Sequence, residues 1–170
     1  HEKIDLSAPD CLYGSLISSQ AAQIVQSRIN EAVELGATIA VGGDYTGAFL
    51  SPTIITNSSP DMKINSEELF APCITVTPYQ TLTELVNELN ASKFGLQSSL
   101  YTQSLSDAFL FYKQIDVGGV IINNPPSWRF DHLPYGGIKE SGNTREGIKS
   151  AIQEFSQKKL CIINLDSPKF

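Results

Sequence analysis

The 170-residue chain carries only two histidines, three cysteines and one methionine. His1 and His132 have no His or Cys at ligand spacing, so no metal centre is expected. Cys11, Cys73 and Cys161 are odd in number and far apart, with no CxxC pair. That argues against a disulfide framework and fits a reducing cytoplasm. Basic residues are in deficit: 12 Lys and Arg against 18 Asp and Glu give a net charge of −6, with no basic run. Such a balance argues against nucleic acid or an anionic membrane surface as a partner. No apolar run approaches the roughly 20 residues of a membrane-spanning helix. The polar, acidic first residues do not read as a signal peptide. The G-x-G-x-x-G fingerprint of dinucleotide binding is also missing. The single methionine is Met62, so the sequence has no initiator and is expected to be a piece of a longer polypeptide, with His1 a tag remnant.

What is present is a patterned sequence, 41% hydrophobic and long enough to bury one sizeable core. Residues 1–13 show no period and include Pro9, which predicts a tail or linker. Ser18 or Ser19 caps a helix in which Ala22, Val25, Ile29, Ala32 and Val33 recur at helical spacing, and Gly36 ends it. Residues 37–41 and 49–56 read as strands around a turn at 44–47, with Pro52 marking an edge or a strand start. From residue 71 strand and helix alternate. A strand over 73–79 is followed by a helix that Thr81 and Glu84 open as a capping box, with Leu82, Leu85, Val86 and Leu89 in a stripe. A strand over 97–102 precedes a helix from Ser104 that sets Leu105, Ala108, Phe109, Tyr112 and Ile115 on one face. The nearly all-apolar run 117–123 predicts a strand buried on both sides. After a loop over 124–143, Thr144 caps a last helix bearing Ile148, Ala151, Ile152 and Phe155, and 160–165 is a terminal apolar strand. The alternation predicts an α/β fold, a mostly parallel sheet flanked by helices.

Two stretches can carry chemistry. Asn65-Ser66-Glu67-Glu68-Leu69-Phe70-Ala71-Pro72 runs into the apolar strand, and loops at strand edges are where ligands collect. A carboxylate there accepts both hydroxyls of a ribose, and an aromatic two residues on can lie against a flat ring. The alternative is a solvated acidic turn with Phe70 packed in the core. The second stretch is the loop over 124–143, since loops of about 20 residues in compact domains are more often functional or disordered than idle.

Pro134-Tyr135-Gly136-Gly137-Ile138-Lys139-Glu140-Ser141-Gly142, followed by Arg145-Glu146-Gly147, resembles the C-terminal signature of the aldehyde dehydrogenase superfamily. Glu67-Glu68-Leu69-Phe70-Ala71-Pro72 is similar to that family's Glu-Glu-x-Phe-Gly-Pro segment, with Ala71 where Gly is usual. Further family-like blocks are Gly36-Ala37 with Gly42-Gly43, Pro52-Thr53, Asn90 with Phe94-Gly95-Leu96, and Gly118-Gly119-Val120-Ile121-Ile122-Asn123. They stand in family order over residues 14–163.

The resemblance implies an NAD- or NADP-dependent oxidation of an aldehyde to a carboxylic acid. It assigns the nicotinamide ribose to Glu68, the nicotinamide ring to Phe70, and the mouth that receives the aldehyde to Tyr135. Glu67 then faces solvent or a neighbouring cation. Trp128-Arg129-Phe130-Asp131 resembles the branch acting on lactaldehyde or, without phosphorylation, on glyceraldehyde 3-phosphate. A guanidinium at Arg129 can hold a carboxylate or phosphate through two parallel hydrogen bonds, or pair structurally with Asp131 or another acid.

Asn123 is placed to orient the loop backbone, Gly136 and Gly137 to allow a tight turn of positive φ, and Lys139 to meet an anion or solvent. The family's nucleophilic cysteine and its base glutamate belong to segments upstream of every block found here. Cys73 and Cys161 lie in apolar strands, where a thiol is usually inert. No catalytic residue is therefore expected in this chain, and the chain alone is expected to be inactive, binding no cofactor tightly. The implied organisation is a tail at 1–13, the C-terminal part of the catalytic domain at 14–158, and at 159–170 an oligomerisation strand that joins a second copy of the chain. The competing reading is a non-catalytic assembly domain that keeps the fold; acyl-CoA formation is a further variant of the chemistry.

Overall fold

The computed structural model describes residues 13–165. The tail expected over 1–13 lies outside them but for Tyr13, as do His1 and Cys11. The chain forms two compact units, one ending at Gln80 and the other beginning at Thr81.

The first unit starts with helix α1 (Ser19–Glu34). The Ser18 hydroxyl accepts from the Ala21 N–H at 3.1 Å, satisfying an otherwise orphaned donor of the first turn. At the far end the Ala37 N–H returns to the Ala32 carbonyl across Gly36, whose φ of 104° is why glycine stands there. Ala22, Val25, Ile29 and Ala32 are buried, as the helical spacing predicts. Strands β1 (Thr38–Val41), β2 (Tyr45–Thr46), β3 (Phe49–Leu50) and β4 (Thr53–Thr56) follow, then the short helix α2 (Lys63–Ser66) and β5 (Cys73–Val76). The expected strand over 49–56 is thus two strands, separated at Ser51-Pro52, and part of the expected turn is the hairpin β2–β3. One sheet has the order β1-β4-β5, antiparallel between β1 and β4 and parallel between β4 and β5. Val25, Ile29, Leu50, Ile55, Met62 and Ile64 form its core, with Leu69, Ala71 and Cys73 packed on the rim.

The second unit holds α3 (Leu82–Ala91), β6 (Phe94–Gly95), β7 (Gln97–Leu100), α4 (Leu105–Gln114), β8 (Gly119–Ile122), β9 (Ile138–Lys139) and α5 (Ile148–Glu154). Thr81 and Ser104 cap α3 and α4 by accepting from the Glu84 and Asp107 N–H groups. Strands β7 and β8 are parallel and joined through α4, a βαβ unit, whereas β6 and β9 pair antiparallel. Val86, Leu100, Phe111 and Ile115 form the core.

Several expectations are corrected. The pairing is not mostly parallel: among the described residues two of the five strand pairings are parallel, and the strands form four small sheets rather than one. In α4 the expected face is only partly covered: Ile115 is buried and Ala108 half-buried, but Leu105, Phe109 and Tyr112 are exposed, while Phe111, not expected there, is 0% exposed. Strand β8 buries Ile121 but leaves Ile122 partly exposed, so it is not covered on both sides. Thr144 caps nothing: α5 begins four residues later, with Gly147 as its N-cap. Residues 160–165 form no strand and are exposed, because a strand exists only by pairing and no described strand pairs with them.

Candidate functional site

The segment from Glu67 to Pro72 is held from behind and open in front. Helix α2 stops at Glu67, whose backbone turns extended (φ −121°, ψ 151°) while its N–H still donates to the Lys63 carbonyl. An extended chain alternates its side chains, and here Leu69 and Ala71 pack on the core. Glu68 and Phe70 face the other way, Phe70 at 85% exposure. The Thr53 N–H donates to the Pro72 carbonyl at 2.9 Å, tying the end of the segment to β4. On the α1 side, Arg28 Nη1 donates to the Glu68 carbonyl at 3.0 Å and Nη2 pairs with the Glu67 carboxylate. Glu67 therefore meets a cation, one of the two surroundings foreseen for it. The Glu68 carboxylate has no hydrogen bond or ion pair among the described residues. Phe70 is not in the core, so the bland alternative of a packed aromatic does not hold. An unpartnered acceptor beside an exposed flat ring has the chemistry to receive a ribose diol and a nicotinamide.

Cys73 begins β5 just beyond this segment. Burial pushes its thiol pKa up from the ordinary value, which reduces the thiolate fraction at neutral pH. That agrees with its reading as a packing residue. Cys161 is exposed.

In the second unit the loop after β8 brings Arg129 and Tyr135 together. The guanidinium lies over the Tyr135 ring, 4.4 Å from its centroid. The half-exposed guanidinium also stands 3.6 Å from Oε2 of the largely exposed Glu146 and 3.9 Å from Oδ1 of the fully exposed Asp131. Tyr135 and Glu146 exchange backbone hydrogen bonds, which sets two of the three neighbours of the guanidinium on one short bridge. Trp128 meets Phe130 edge to face, and Phe130 stacks on His132. An open polar hollow of about 430 Å³ lies between the 137–145 turn and α5, lined by Asn143, Arg145 and Gln153 among others; neither Arg129 nor Tyr135 lines it.

The signature around Gly136 acts as a backbone clamp. Neither Gly136 nor Gly137 has a positive φ, so the reason first given for these glycines fails. Their need is close approach. A Cβ on Gly118 would sit 1.8 Å from the Gly136 carbonyl oxygen, and one on Gly136 would sit 2.3 Å from that of Thr144. Arg145 Nη1 donates to the Gly137 carbonyl at 2.8 Å, and the Gly95 N–H donates to Ser141 Oγ at 3.0 Å. Lys139 takes a left-handed φ of 55° and donates to the carbonyls of Asn90 and Ser92, with Asp116 at 3.6 Å. It is neither an anion trap nor a solvated lysine. Asn123, φ 60°, accepts from the Thr102 N–H and donates to the Thr102 carbonyl, so its side chain ties the end of β8 to the chain after β7 rather than to the loop that follows it. Sequence reasoning missed Arg28, which is 40 residues from the segment it grips and has no local signal.

The profile of the aldehyde dehydrogenase family matches residues 2–161. The chain is 41% identical over 152 residues to a 3-sulfolactaldehyde dehydrogenase of Priestia aryabhattai, covering 89% of this chain and 32% of that protein. It superposes with a TM-score of 0.90 and 36% identity on a crystal structure of aldehyde dehydrogenase 21 from Physcomitrella patens in complex with the reaction product succinate, over 95% of this chain and 34% of that one. The glyceraldehyde-3-phosphate dehydrogenase GapN of Methanocaldococcus jannaschii, complexed with NADP, matches at TM-score 0.81 and 33% identity, over 85% of this chain and 31% of that one. The chain spans about a third of the length of the curated relatives it matches. By the family profile and these likenesses together, the chain belongs to the aldehyde dehydrogenase family.

Proposed function

We propose that this chain is the C-terminal part of an NAD(P)-dependent aldehyde dehydrogenase, supplying the ribose clamp for the cofactor and part of the substrate mouth. The observation that carries the reading is the unpartnered Glu68 carboxylate set beside the exposed Phe70 ring. When bound, NAD or NADP accepts a hydride from the substrate. Glu68 accepts the ribose hydroxyls and Phe70 bounds the nicotinamide ring, so these side chains orient rather than react. The nucleophile and the base come from the preceding part of the enzyme, since neither Cys73 nor Cys161 lies in a segment like the family's nucleophile motif and burial raises the Cys73 thiol pKa. Residues 14–158 belong to the catalytic domain and 159–170 to an oligomerisation strand, in a cytoplasmic enzyme. No helix among the described residues is long and apolar enough to cross a membrane.

The substrate class follows from Arg129 and Tyr135. A guanidinium held over a ring at a half-exposed position suits a small aldehyde whose tail carries a carboxylate, phosphate or sulfonate. The 3-sulfolactaldehyde dehydrogenase, the enzyme solved with succinate and the glyceraldehyde-3-phosphate dehydrogenase support that class. A non-catalytic assembly domain is the second reading, favoured by the exposed apolar side chains of α5 and of 160–165.

Glu68→Gln in the intact enzyme tests the first reading, because it removes the charge while keeping the shape. Loss of a hydrogen bond to a charged group is worth about 1.5–3 kcal/mol, so cofactor affinity or single-turnover reduction of NAD falls at least several-fold. Unchanged values for both would reduce Glu68 to a surface residue. The purified 170-residue chain, given NAD and an aldehyde, should form no NADH; steady formation abolished by Cys73→Ala would overturn the assignment of Cys73.

A further inference from the structure

Two acidic side chains stand side by side at Glu67 and Glu68, and the first unit treats them differently. Arg28 projects from α1 beside the buried Val25, Ile29 and Ala32, with its own side chain only 22% exposed. One guanidinium nitrogen takes the Glu67 carboxylate and another takes the Glu68 backbone carbonyl. A planar fork with two acceptors at fixed separation sets the direction of the Glu68–Leu69 peptide, whose carbonyl it holds, as well as its position. The Glu68 carboxylate, on the same residue whose carbonyl is gripped, is left without a partner.

We propose that Arg28 is a positioning residue for cofactor binding: it fixes the Glu68 backbone so that the carboxylate and the Phe70 ring are presented outward. The inference rests on the ribose-clamp reading of Glu68. Downstream the segment is already secured by Leu69 and Ala71 against the core and by the Thr53 N–H on the Pro72 carbonyl. Upstream, beyond the end of α2, Arg28 is the side chain that holds it. Lys63 Nζ, bonded to the Glu31 carboxylate at 2.9 and 3.1 Å, joins α2 to the same helix. Arg28 has a second effect through charge. It neutralises Glu67, which would otherwise add repulsion toward a ligand carrying a pyrophosphate. Lysine cannot replace it fully, because a point charge serves one acceptor well and lacks the fork.

The test uses the intact enzyme with Arg28→Met, Arg28→Lys, Glu67→Gln and the reference Glu68→Gln. Calorimetric binding of NAD and NADP, the aldehyde KM, and cleavage after Glu68 by a glutamate-specific protease are measured, with thermal unfolding as the check on folding. Arg28→Met should weaken cofactor binding by roughly tenfold, leave the aldehyde KM unmoved and speed the cleavage. Arg28→Lys should recover part of both changes. Glu67→Gln keeps the bond to the Glu68 carbonyl, so it should fold normally and shift both readouts in the same direction by less. If Glu68→Gln weakens cofactor binding and Arg28→Met does not, the positioning role falls while the ribose clamp stands. If Glu68→Gln has no effect, the ribose clamp falls and the role of Arg28 with it. Should Arg28→Met fail to fold, Glu67→Gln decides, and its identity to wild type in both readouts overturns the proposal.

Discussion

At Arg129 two roles compete for one guanidinium. Its pair with Glu146 is long, 3.6 Å, and largely exposed, and Asp131, 3.9 Å away, is fully exposed. A long exposed pair such as that with Glu146 contributes about 0–1 kcal/mol, and the Tyr135 ring adds about 0.5–1 kcal/mol at an exposed site. An anionic substrate tail that makes two parallel charged hydrogen bonds gains more than it displaces. Arg129→Leu should therefore cost little stability. In the intact enzyme it should lower kcat/KM for phosphorylated or sulfonated aldehydes by at least about tenfold, from the loss of about 1.5–3 kcal/mol, and spare alkyl aldehydes. Equal losses on both substrate sets would make Arg129 a structural partner of Glu146. No local pattern singles out Glu146 as that partner, because the Tyr135–Glu146 bridge that presents it joins residues across a turn.

At the scale of elements, what was legible was what is local. The caps Ser18, Thr81 and Ser104 stand where the sequence puts them, because a side chain three residues from the N–H it accepts needs no tertiary information. Thr144 resembles them in type, yet its carbonyl is engaged by Arg145 and its neighbour Glu146 is bonded to Tyr135, so the helix starts later. Periodicity likewise finds a helix without saying which side is covered. Of the face that periodicity marks on α4, Ile115 enters the core with Val86 and Leu100, whereas Leu105, Phe109 and Tyr112 stay exposed and Phe111 takes the buried place. The clamp formed by Gly118, Gly136 and Thr144 was visible only as a motif; its cause is backbone contact over 18 residues. Gly118→Ala forces a Cβ to 1.8 Å from a carbonyl oxygen, and backbone has little room to yield. Overpacking costs about 1–3 kcal/mol or more, read as a lowered denaturant midpoint. Gly14→Ala, which meets nothing within 4 Å and needs no positive φ, should stay within about 0.5 kcal/mol of wild type.

For the molecule as a whole, the question is what becomes of its uncovered apolar side chains. Leu160, Ile162, Ile163 and Leu165 are each at least 75% exposed, and Ile148, Ile152 and Phe155 of α5 are exposed with them. Full burial of one such side chain gains about 1.5–3 kcal/mol, so a run this apolar gains strongly from any surface that covers it. Residues 160–165 also belong to no strand among the described residues, and an apolar segment of this kind can add to the sheet of another chain. The chain is accordingly expected to form a dimer or larger assembly in which residues 159–165 contact a second copy. Pairing of identical strands is one geometry open to it. Light scattering on the purified chain, with a variant truncated after Gln157, decides the point. An assembled mass that falls to the monomer on truncation supports the contact, whereas a monomeric mass that truncation leaves unchanged rules it out.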